Sequence, residues 1–126
     1  MTIEEAIRYR LIEQITSLSG RIYPVTTPQG GDLPAIAFKR ISTRRDPTLT
    51  TQGQYYTTFQ FDVLAPDYTV MRGIRDAIRA AFEDVVGQYA TGAPYILAAD
   101  VFNEMDGFDT GKEIALGVIE IEYLYT

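Results

Sequence analysis

The chain has 126 residues, 46% of them hydrophobic and 22% charged, with a formal net charge of −6 at pH 7. That length fits one domain around one core, and the composition is that of a globular chain rather than a disordered one. Cysteine and histidine are both absent, which excludes disulfides, thiolate metal sites and thiol nucleophiles and removes the commonest general base and metal ligand.

The charge is unevenly placed. Residues 1–99 hold ten acids and ten bases, whereas residues 100–126 hold seven acids against Lys112 alone. A near-neutral body with an acidic C-terminal quarter is not a phosphate-gripping pattern, because that needs clustered Lys and Arg. No apolar run approaches the length needed to span a bilayer, and Met1-Thr2-Ile3-Glu4-Glu5 lacks the layout of a signal peptide. A soluble, cytosolic start is therefore expected, with no membrane partner.

Thr2 and Glu5 have capping-box spacing, and Ile3, Ile7, Leu11, Ile15 and Leu18 follow at helical intervals before Gly20. This predicts an amphipathic first helix, with Glu4 and Arg8 spaced to pair. Arg21-Ile22-Tyr23 reads as a brief edge strand ended by Pro24, and Thr26–Pro34 as a loop. Ala35–Ser42 reads as a strand whose alternation breaks near Arg40-Ile41, where a bulge is expected. Thr43–Gln54 is polar and aperiodic, a long hairpin connection expected to be flexible in the free subunit.

Tyr55–Ala65 alternates cleanly and is expected to bury one face. Pro66 ends it and Asp67 can cap a second helix to about Val86, with Val70, Met71, Ile74, Ile78, Ala81, Phe82 and Val85 on its apolar face. A strand near Tyr95–Phe102, an acidic turn at Asn103–Gly111 and a last strand to Tyr125 complete the chain. The order α-β-β-β-α-β-β, mostly joined by hairpins, gives an α+β fold: one domain over residues 1–126, a mostly antiparallel sheet and two helices on one face.

No catalytic constellation emerges. The turn from Asp106 to Glu113 lacks the alternating ligands of a calcium loop, and Thr110-Gly111-Lys112 lacks the glycine spacing of a phosphate-binding loop. No cofactor and no metal are expected, and no enzymatic role. Arg72, Arg75 and Arg79 read as a solvated helix stripe with Arg72–Asp76 and Arg79–Glu83 pairs. Lys39, Arg40, Arg44 and Arg45 stand in a stretch with no acid between Asp32 and Asp46, so they are candidate inter-subunit or partner contacts. Glu120 and Glu122 alternate with Ile119, Ile121 and Tyr123 and therefore point away from the apolar face of their strand.

Three segments carry a resemblance: Arg21-Ile22-Tyr23-Pro24; Thr27-Pro28-Gln29-Gly30 leading through Leu33-Pro34 to Phe38-Lys39-Arg40-Ile41-Ser42; and the strand Thr57–Ala65 entering a helix. Together they resemble the tail completion, or tail-to-head joining, proteins of long-tailed bacteriophages, a family related in fold to phage tail terminators. Ala35 stands where that family usually has an aromatic residue. The resemblance implies a structural virion protein at the head-proximal end of the tail, assembled in the host cytoplasm. Its copies would form a ring, six-fold in that family, that caps the tail tube and meets the head connector. DNA would pass through the channel without specific binding, which suits Glu120 and Glu122 as lumen-facing acids. Two alternatives stay open: a head-side connector or stopper subunit, and a small carboxylate-based enzyme or ligand-binding domain.

Overall fold

The computed structural model describes residues 1–18, 20–24, 32–45, 54–109, 111 and 113–126. The first helix, α1 (Ile3–Gln14), starts where the sequence places it: the Thr2 hydroxyl accepts from the Glu5 N–H and the Glu5 carboxylate accepts from the Thr2 N–H, each at 3.2 Å. All five apolar positions of the predicted stripe are buried, although α1 stops at Gln14 and Leu18 reaches the core from a 3-10 turn at Thr16–Leu18. Glu4 turns from Arg8 to Arg40, far along the chain.

β1 (Ile22–Pro24) is an edge strand, parallel to β2 (Ala35–Arg45) through Ile36–Phe38. β2 runs three residues past its expected end, and its pairing with β3 (Tyr55–Ala65) slips between Arg40 and Ser42, where the bulge was expected. The Thr27-Pro28-Gln29-Gly30 motif and residues 46–53 of the expected hairpin connection lie outside the described residues. The second helix, α2 (Tyr68–Phe82), is capped by Asp67, whose carboxylate accepts from the Val70 N–H at 2.9 Å. It ends four residues before Val86: Glu83 leaves helical geometry and Asp84 takes a φ of 59°. Val70 is exposed rather than on the buried face.

The largest departure is at the acidic stretch. β5 (Tyr95–Asp109) runs straight through the expected turn, pairing with β6 (Ile114–Tyr125) from Asn103 opposite Glu120 to Asp109 opposite Ile114. A two-residue strand, β4 (Gly87–Gln88), borders the start of β5 and was not expected. The sheet order is β1-β2-β3-β6-β5-β4, and every neighbour pair except β1–β2 is antiparallel.

The central β3–β6 pair sets the layering. Phe59, Phe61, Val63, Ile119, Ile121 and Tyr123 are fully buried on one face, while Thr58, Gln60, Asp62, Val118, Glu120 and Glu122 on the other remain half-open. The buried face carries a chain of ring contacts: Phe38 to Phe61 at 6.1 Å, Phe61 to Phe82 at 5.7 Å, and Phe82 edge-on to Tyr123 at 5.7 Å. These rings tie β2, β3 and β6 to α2, and α1 joins the same buried cluster. Burial also holds the Tyr123 phenol well above its ordinary pKa, and its hydroxyl has no hydrogen-bond partner among the described residues.

Gly117 shows how closely α2 approaches. A Cβ at this mid-strand position would collide with the Met71 side chain, which is itself fully buried. Gly117→Ala should therefore lower stability by about 1–3 kcal/mol, the usual cost of overpacking. Chemical denaturation checks this, and in a Met71→Ala background, itself destabilised by its cavity, the same substitution should cost less.

Candidate assembly surfaces

Three charged regions surround this core. The first links α2 to β5. Arg75, expected in a solvated stripe, is 8% exposed and points to the sheet. Its guanidinium donates to the Asp106 carboxylate and, at 3.0 Å, to the Met105 carbonyl, and its Nε lies 3.9 Å from the Glu104 carboxylate. Arg79 bridges Glu104 at 3.0 Å and Glu83 at 3.1 Å, the latter as expected. Tyr68 adds a hydroxyl hydrogen bond to Asp106 at 3.2 Å. Alternation along β5 places Glu104 and Asp106 on the helix-facing side, which is why this acidic run can be a strand.

The second region is the basic end of β2. Arg40 lies 5.8 Å from the Phe59 ring centre and pairs with Glu4, closing the gap between β2 and α1. The Arg44 guanidinium stacks 4.1 Å from the Tyr56 ring centre, with Glu122 3.8 Å away. Lys39 and Arg45 have no ion-pair partner among the described residues. Two of the four expected contact residues thus serve the fold, and two do not.

The third region is the open sheet face. Register places Lys39, Gln60, Glu120 and Asn103 in one row across four strands, and Ser42, Thr58, Glu122 and Asp100 in the next. Glu120 and Glu122 point away from both helices, as alternation required, and are half-buried. Glu122 lies directly across from Asp100, a like-charge juxtaposition that costs stability. The face carries Asp62, Asp100, Glu120 and Glu122 against Lys39 and Arg44.

Two acids are held ionised by their partners. Asp106 is held below its ordinary pKa, first by the Arg75 hydrogen bond, and Glu5 is lowered by the Thr2 cap. Both stay ionised, the opposite of a poised general acid. Among the described residues no group of three acidic side chains could hold a metal ion, and no helix is long and apolar enough to cross a membrane.

Comparison with known proteins adds the family. The model of the family described as "Tail completion protein gp17" matches residues 5–110. Comparison with curated proteins gives no match. Among solved structures, a chain from the virion of a native gene transfer agent particle aligns with a TM-score of 0.67 at 10% identity, covering 98% of this chain and 96% of that one. A second solved chain aligns with a TM-score of 0.61 at 12% identity, over 98% of this chain and 95% of its own length. At such identities the likeness is one of fold.

The Arg75–Asp106 pair makes a pH-dependent contribution whose sign is fixed. Because Asp106 is lowered from 3.8 in the folded state, its contribution is complete at neutral pH and is lost as the pH falls through and below that value. Asp106→Asn should therefore lower the melting temperature at pH 7, and its gap to the parent chain should narrow toward pH 3. Thermal unfolding across that range checks it.

Proposed function

Since the chain belongs to the tail completion protein gp17 family, and so is a structural protein of the phage tail, we propose that its copies form a ring at the head-proximal end of the tail. The ring, six-membered on this reading, caps the finished tube and presents a docking surface to the head connector. Its partners are further copies of itself, the tail tube protein and the connector. DNA crosses the channel without being bound.

The observation that carries this reading is the two-sidedness of the sheet. One face is closed by both helices, and the other is broad, half-open and net acidic, with Glu120, Glu122, Asp100 and Asp62 grouped across neighbouring strands. A wall that DNA slides past should repel phosphate, and acids facing a water-filled lumen keep most of their hydration. The Asp100–Glu122 juxtaposition, in which Glu122 also lies 3.8 Å from the Arg44 guanidinium, fits a surface kept acidic at some cost in stability.

Two experiments test this. Purified protein added to tails and heads from particles lacking it should bind the isolated tails and restore joining. Binding to filled heads instead would favour a head-side connector role. In complete particles, Glu120→Lys with Glu122→Lys should allow assembly but slow DNA ejection, more so at low salt. Normal ejection rates in that variant would remove these acids from the channel wall.

A further inference from the structure

The sheet ends in two strand edges that are covered over only part of their length. β1 pairs with β2 at Ile36–Phe38 alone, so Lys39–Arg45 has no strand on that side among the described residues. At the opposite end, β4 covers Tyr95 and Ile96, and the Asp84 N–H donates to the Ala99 carbonyl at 3.0 Å. From Asp100 to Asp109 that side of β5 has no strand partner among the described residues. An open edge presents unpaired N–H and C=O groups and recruits another strand unless it is defended.

Neither edge carries the usual defences in full. The β5 edge exposes Phe102, Met105 and Phe108 at 56%, 49% and 60%, and Asn103–Asp109 runs without a register shift. Proline is absent from both segments. What they do carry is charge of opposite sign. Arg40 and Arg44 pair with Glu4 and Glu122, and Glu104 and Asp106 with Arg79 and Arg75, which leaves Lys39 and Arg45 on one edge and Asp100 on the other without an ion-pair partner among the described residues. A defence against aggregation would work with one sign on both edges. Opposite signs instead penalise contacts between like edges and favour the unlike pair.

We infer that β5 of one copy pairs through its Asp100–Asp109 edge with Lys39–Arg45 of β2 in the next copy, which makes the sheet continuous from subunit to subunit; this rests on the ring reading above. Strand direction permits it. β2, β3, β6 and β5 alternate in direction, so β5 and β2 run opposite ways and a neighbour's β2 continues the alternation. The contact joins two different patches, as a ring of identical subunits requires. The edges are also offset. Ser42, midway along its edge, lies in the row of Asp100, whereas the middle of the β5 edge lies in the row of Phe38, Phe61, Ile119 and Glu104. Pairing them shifts each copy by about four residues, roughly 13 Å at about 3.3 Å per residue, so the strands must tilt against the ring axis, as in any closed sheet with shear.

The test is a charge exchange between copies. One variant carries Lys39→Glu and Arg45→Glu; the other carries Asp100→Lys and Asn103→Lys. None of these residues has an ion-pair partner in the fold among the described residues, and circular dichroism verifies that each variant is folded. Each variant alone should lose ring-sized species by tenfold or more, measured by mass photometry on the free protein and by tail-tube capping. An equimolar mixture should recover rings of parental size, because in alternating copies the introduced glutamates face the introduced lysines at one contact and the two parental edges meet at the next. Recovery by strict alternation also requires an even number of subunits. Parental assembly by either variant alone would overturn the inference, as would a mixture of folded variants that stays dissociated while the parent chain forms rings. A parent chain that caps tubes as a monomer would overturn the ring reading itself.

Discussion

The period-two burial of the β3–β6 pair is the constraint on which the rest depends. Phe59, Phe61, Ile119, Ile121 and Tyr123 all point to one side, so both helices must cover that side, and the other is left for polar groups. Truncating Phe59 or Phe61 to alanine would cost about 3–5 kcal/mol, a large part of the roughly 5–15 kcal/mol that stabilises a typical domain. The same alternation directs Glu120 and Glu122 outward. Core and candidate channel wall are thus two readings of one strand pattern.

Charge placement adds a second level of organisation. Within the fold, acids on β5 are matched by Arg75 and Arg79 on α2, and Arg40 on β2 by Glu4 on α1. These pairs hold the helices against the long strands that protrude past the core. Arg75 is the most consequential, since it also caps the Met105 carbonyl from a nearly buried position. The neutral balance of residues 1–99 and the acidic balance of residues 100–126 are then not separate territories. They interlock across the sheet and leave opposite residues of charge at its two edges.

Much of this was legible in the sequence where burial sets the pattern. The α1 stripe, the limits of β3, the alternation of β6, the Asp67 cap and the bulge near Arg40 all follow from local periodicity and local hydrogen bonding. The acidic run after Phe102 was not legible as strand, because Asp and Glu are poor strand formers and the residues that accommodate them lie on α2, about thirty positions upstream. For the same reason Arg75 read as solvated: its spacing matches Arg72 and Arg79, and only the tertiary placement of β5 buries it. β4 was missed because a two-residue strand has no periodicity to detect. Of the candidate site residues, the basic end of β2 was identified by composition. That Arg40 and Arg44 form ion pairs while Lys39 and Arg45 form none among the described residues depends on contacts with distant residues.

We propose that this sheet is the assembly element: its acidic face borders the channel and its edges join the copies. A cryo-EM map of the assembled particle, at a resolution that separates strands, tests it most directly. The map should show a closed belt of tilted strands with Glu120 and Glu122 toward the axis, β5 beside the neighbouring β2, and α1 and α2 on the outside. A ring lined by α1 or α2, with the sheet turned outward and its edges apart, would contradict it.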